Sequence, residues 1–81
     1  NLYIGIESRI IKIEENKILF EEVMALSHRF KEVIILYYYH NFNTAEISNI
    51  LNVAEGTVRS RLHRGREILR TKLGGRIDWS E

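Results

Sequence analysis

The stretch that most restricts how this chain can fold runs from Ala54 to Leu73, AEGTVRSRLHRGREILRTKL. From Thr57 onward it sets Arg59, Arg61, Arg64, Arg66, Arg70 and Lys72 against a single acid, Glu67. At about 100° per residue on a helix, Val58, Leu62, Gly65, Leu69 and Leu73 share one sector. Their spacing predicts a buried seam. Arg59, Ser60, His63 and Arg64 fall on the opposite side, within the first two turns. Such a helix turns an apolar back to its own domain and a cationic, hydrogen-bonding front to something else. The major groove of B-DNA admits a helix of this kind, and arginine bonds guanine edges and phosphates alike. An arginine-rich face can also be plain solvated surface, so the preceding segment decides between the two readings.

That segment, NTAEISNIL over residues 43–51, reads as a short helix. Asn43 can cap it, and Glu46, three residues on, can reach back in a capping box. Ile47, Ile50 and Leu51 are expected to face inward. Asn52 then supplies a tight turn, Val53 plugs the core, and Glu55 opens the arginine helix, where a carboxylate suits the positive helix end. Helix, short turn, basic helix is the helix-turn-helix arrangement, in which the second helix enters the groove.

Upstream, HRFKEVIILYYYH at residues 28–40 is the most apolar segment. Phe30, Val33, Ile34 and Tyr37 mark its inward face, Leu36 and Tyr38 widen it, and a helix apolar over most of its girth belongs at the centre of a small bundle. Its tyrosines read as core and rim packing. Asn41, which tolerates the left-handed conformation, is a suitable stop. KILFEEVMAL at residues 17–26 predicts a first helix with Leu19, Val23 and Leu26 inward and Glu21 and Glu22 outside, and Ser27 is placed to cap the next helix. Residues 1–16 fit a strand by Leu2, Ile4 and Ile6 and a helix by Leu2, Ile6, Ile10 and Ile13; they are assigned as a linker or N-terminal arm. Gly74-Gly75 closes the domain at residues 17–75, and residues 76–81 form a tail. The expected fold class is all-α: a small four-helix domain containing a helix-turn-helix.

The charge distribution agrees. The net charge of +1 conceals five basic and eight acidic residues over 1–56, a balance of −3, and seven basic and three acidic over 57–81, a balance of +4. One end of the chain is therefore suited to a polyanion. The 81 residues make at most one domain. There is no cysteine, so neither a disulfide framework nor a thiolate metal site is open to it. No apolar run approaches the roughly 20 residues that cross a bilayer. His28, His40 and His63 are scattered and ungrouped with carboxylates, so no metal site is expected. No nucleophile elbow or phosphate-cradling glycine loop occurs, and the chain is read as neither an enzyme nor a cofactor binder. It opens on Asn rather than Met, as expected of a piece of a longer protein.

The string FKEVIILYYYHNFNTAEISNILNVAEGTVRSRLHRGREILR resembles region 4, the promoter-binding C-terminal domain, of sigma-70-type sigma factors, in particular the extracytoplasmic-function (ECF) group. The resemblance runs from about Leu19 to Leu73 and is densest from Glu46-Ile47 through the EGTV and RSRLHR stretch to Arg64. It implies a cytoplasmic domain that binds double-stranded promoter DNA at the −35 element, docks on the β flap of core RNA polymerase and is commonly held by an anti-sigma factor. Carried onto this sequence, Arg59, Ser60, His63 and Arg64 take base- and phosphate-facing positions and Thr57 a backbone-contacting one. Thr44 and Glu46 lie where the supporting helix nears the DNA backbone, and Arg61 and Arg66 are expected to hold phosphates. Three residues depart from the pattern: Ala54 for Ser or Pro, which removes a cap worth about 1 kcal/mol; Gly65 for Ala, which lowers helix propensity by up to about 1 kcal/mol but would allow close helix packing; and Ser27 for Pro. Two other functions remain open at this point. One is an interaction module presenting Ile18, Phe20, Tyr37 and Tyr39; the other is the DNA-binding end of another transcription regulator.

Overall fold

The computed structural model describes residues 17–74. The arm assigned to residues 1–16, Gly75 and the tail at 76–81 lie outside the described residues. The elements are α1 (Lys17–Met24), α2 (His28–Ile34) running on into a π turn (Ile35–Tyr39), α3 (Thr44–Leu51) and α4 (Glu55–Leu73), with no strand among the described residues. The expected all-α, four-helix layout is the one observed.

The long basic helix is the axle of the domain, since α1, α2 and α3 all pack on it. Its buried residues are the five of the seam, Val58, Leu62, Gly65, Leu69 and Leu73. They meet Leu19, Val23 and Leu26 from the α1 end, Val33, Ile34 and Tyr38 from α2 and the π turn, and Ile47 from α3. Gly65 has a packing reason. A Cβ built there would stand 3.2 Å from Ile34 Cγ1 and 3.6 Å from Phe30 Cβ. The missing side chain lets α2 lie close against the middle of α4.

The junctions follow local chemistry, with two corrections. Leu26 is buried although α1 ends at Met24, because Leu26 N–H bonds the Val23 carbonyl and carries the chain one turn further. Ser27 does stand at the start of α2, but its hydroxyl makes no capping bond; only its carbonyl serves, accepting from Phe30 and Lys31 N–H at 3.0 and 2.9 Å. The second correction concerns the tyrosines. Tyr38, not Tyr37, is the buried one, at 2% exposure. Past Ile34 the backbone widens into i→i+5 bonding, with His40 N–H on the Ile35 carbonyl at 3.2 Å. A π turn holds more residues than the 3.6 of an α turn, so it brings Tyr38 into the core and carries Tyr37 to the flank. Asn41 then ends the segment at φ 58°.

The inward set expected for α3 holds only in part. Ile47 is buried and Leu51 half-buried, whereas Ile50 is 51% exposed. An eight-residue helix packed on α4 and the π turn hides a narrow stripe, and Ile50 lies beyond its edge. There it borders an apolar hollow with Ile35, Leu36 and Leu51.

Candidate nucleic-acid interface

Polar groups at fixed sequence offsets hold the start of α3 and the turn between α3 and α4. The Asn43 side chain accepts from Glu46 N–H and the Glu46 carboxylate accepts from Asn43 N–H, each at 2.8 Å, which completes the capping box. Asn52 closes α3 in the left-handed region at φ 57° and ψ 47°. Ser48 clasps the turn from within. Its hydroxyl donates to the Val53 carbonyl at 2.6 Å, and its carbonyl accepts from Val53 N–H at 3.1 Å. Val53 is thereby seated against the core. Ala54 leads into α4 without a side-chain cap, as its identity implies.

The angle so fixed leaves one side of α4 bare. Arg59, Ser60, His63 and Arg64 are all exposed, opposite the buried seam. Their partners are on their own helix and solvent-accessible. Arg59 lies 3.2 Å from Glu55, Arg64 3.5 Å from Glu67, and His63 3.6 Å from Glu67. Exposed pairs of this kind contribute little to stability. Gly56, Thr57, Ser60, Arg61, His63 and Arg64 form one wall of an open cleft, and Arg29 and Phe30 of α2 form the other.

Arg29 is the residue that reading the sequence missed. It is exposed, with its guanidinium 5.1 Å above the Phe30 ring. The contact of Phe30 with the backbone at Gly65 sets it beside the basic face. The available signal was Gly65 itself, since a small residue in a helix seam marks where a neighbour comes close.

Three further expected contact residues, off the bare face, are also engaged within the domain. Thr44 donates its hydroxyl proton to Glu55 Oε2 at 2.6 Å, so that oxygen has only acceptor capacity left for a ligand. Glu46 is occupied by the capping box. Arg66 is half-buried and donates to the Tyr38 hydroxyl at 2.7 Å. That bond satisfies the hydroxyl of a core tyrosine and uses one of the five N–H donors of the guanidinium. Among the described residues no helix is long and apolar enough to cross a membrane, and no cluster of metal-ligating side chains occurs.

Comparison with known proteins gives a consistent result. A family model described as sigma-70, region 4, matches residues 24–71. The ECF RNA polymerase sigma factor SigW of Bacillus subtilis is 36% identical over 67 residues, which is 83% of this chain and 36% of that protein. The ECF RNA polymerase sigma factor SigL of Mycobacterium tuberculosis is 41% identical over 59 residues, 72% of this chain and 33% of the relative. The probable RNA polymerase sigma factor RfaY of Xanthomonas campestris is 29% identical over 68 residues, 84% of this chain and 17% of its own length. The chain thus spans about a third or less of the relatives it matches. No solved structure matches it.

Proposed function

The chain belongs to the sigma-70 region 4 family, in its ECF group, and from that premise we propose that it binds the −35 element of promoter DNA as part of a sigma factor that directs RNA polymerase to start transcription. The observation that carries this reading is the bare face of α4. Four side chains able to bond bases or phosphates stand exposed on its first half, opposite a fully apolar seam.

The face works in two layers. Arg59, Ser60, His63 and Arg64 read base edges in the major groove. Arg61, Arg66 and Arg29, the Thr57 hydroxyl and the peptide N–H groups at the start of α4 hold phosphates and fix the register. Thr44 and Glu46 act at one remove, by shaping the start of α3 where the supporting helix crosses the sugar–phosphate backbone. The +4 balance of residues 57–81 draws this end, rather than the acidic remainder, onto the duplex.

Substitution of Arg59 by Ala tests the assignment. The expected loss is about 1–3 kcal/mol of binding to the preferred sequence, with discrimination relaxed at one base pair and thermal stability unchanged. A uniform weakening on all sequences would make Arg59 a phosphate contact instead.

A second role is favoured by the other end of the domain. Ile18, Phe20 and Met24 of α1 are 42–49% exposed, although large and apolar, and the Phe20 ring meets Tyr39 edge-on at 6.0 Å. Ile18 and Phe20, with the half-buried Tyr37 and Tyr39, supply a surface for the polymerase β flap or an anti-sigma factor. This surface lies on α1 and the π turn and the base-reading residues on the first half of α4, so one domain can serve both.

A further inference from the structure

Glu55 borders the bare face of α4 beside Arg59, and an acid there opposes a polyanion. Its geometry accounts for its presence. One carboxylate oxygen, Oε2, accepts the Thr44 hydroxyl proton at 2.6 Å and lies 3.2 Å from Arg59 Nη1. Thr44 is the first residue of α3, Glu55 the first of α4, and Arg59 stands one turn further along α4. The three side chains form a relay across the helix-turn-helix. The guanidinium is drawn back over Gly56, where an added Cβ would lie 3.8 Å from its other terminal nitrogen. With the Glu55 and Arg59 side chains 43% and 61% exposed, the pair adds little to stability. It does restrict a side chain that would otherwise sample many rotamers.

The geometry points to Glu55 as a positioning residue that, itself held by Thr44, fixes the Arg59 guanidinium in one orientation for base reading. This inference rests on the reading of Arg59 given above. Arginine presents five donors in a rigid fork, so tying one terminal nitrogen to Glu55 leaves the remaining donors to meet the O6 and N7 of a guanine. Orienting the fork in advance lowers the rotamer entropy lost on binding. The expected signature is unusual. Removing the Glu55 charge relieves repulsion of the phosphates and so leaves non-specific affinity unchanged or higher, while discrimination between sequences falls. A purely structural residue would lower both.

The test uses the 81-residue chain, a duplex it has selected from a randomised pool, the single-base-pair variants of that duplex and a scrambled control. Glu55→Gln is expected to reduce discrimination at one base pair by about fivefold or more, without weakening binding to scrambled DNA and with little change in melting temperature. Thr44→Val, which keeps the shape and loses the hydroxyl, is expected to act in the same direction, and Thr44→Ser to restore discrimination. In the Arg59→Ala background Glu55→Gln is expected to change discrimination no further, the mark of two residues acting as a unit.

If Arg59→Ala alone leaves discrimination intact, the reading of Arg59 fails and the relay with it. If Arg59→Ala abolishes discrimination while Glu55→Gln and Thr44→Val preserve it, the relay alone is overturned. It is equally overturned if Glu55→Gln lowers discrimination further without Arg59, or if it weakens specific and scrambled binding together.

Discussion

The turns on either side of α3 are built by opposite rules. Between α3 and α4, direction is set by short-range polar bonds: the left-handed Asn52, the Ser48–Val53 clasp and the Thr44–Glu55 bond. Between α2 and α3, it is set by a widened helical turn whose winding answers to packing. Tyr38 is drawn into the core and Arg66 reaches across to meet its hydroxyl. The polar turn holds the helix that faces outward, and a small error of angle there would displace every contact residue. The apolar turn lies in the body of the domain, where a side chain can be exchanged for its neighbour if the volume is filled.

This contrast can be broken by substitution. Ile34 is fully buried against Gly65, and Ile34→Ala is expected to have the largest effect, a loss of about 2–5 kcal/mol. For a domain of this size that lowers the melting temperature by about 10 °C or more, and DNA binding falls only as the folded fraction falls. If binding were lost at temperatures where the domain remains folded, the apolar end would be tuning the contact face as well as supporting it. At the polar turn, Ser48→Ala removes the hydroxyl that clasps the Val53 carbonyl and is expected to cost about 1 kcal/mol. Amide exchange should quicken at Val53 and its neighbours while the π turn keeps its protection, and faster exchange in both places would mean that the two turns are not independent. The smallest effect is a gain. Ala54 stands at the N-cap of α4 with no side-chain bond to give, so Ala54→Ser should raise stability by about 0.5–1 kcal/mol, seen as a melt a few degrees higher.

The same contrast explains what could be read from the chain. The seam of α4 was legible because a 19-residue helix repeats its apolar signal over five positions, so no single ambiguity matters. The capping box and the stops at Asn41 and Asn52 were legible because each depends on two or three neighbouring residues. The exchange of Tyr37 for Tyr38 was not, since consecutive tyrosines carry the same local signal and the π winding that chooses between them is imposed by the core. Ile50 was misplaced because eight residues give too few repeats to fix the edge of a stripe. Arg29 and the partner of Arg66 were out of reach for a simpler reason. Arg66 meets a residue 28 positions away, and Arg29 comes beside the basic face only through the close packing at Gly65. For the candidate site, then, the exposed face could be read from periodicity. The residues that orient it needed the structure.

The most direct test of the account is binding of the 81-residue chain to its selected duplex and to scrambled DNA across a salt series. The account predicts tighter binding to the selected duplex at every salt concentration. It also predicts a logarithmic affinity that falls steeply with logarithmic salt, at about −0.9 per phosphate contacted, giving a slope of about −3 or steeper for the contacts assigned here. Equal binding to both duplexes, or an affinity indifferent to salt, would contradict it.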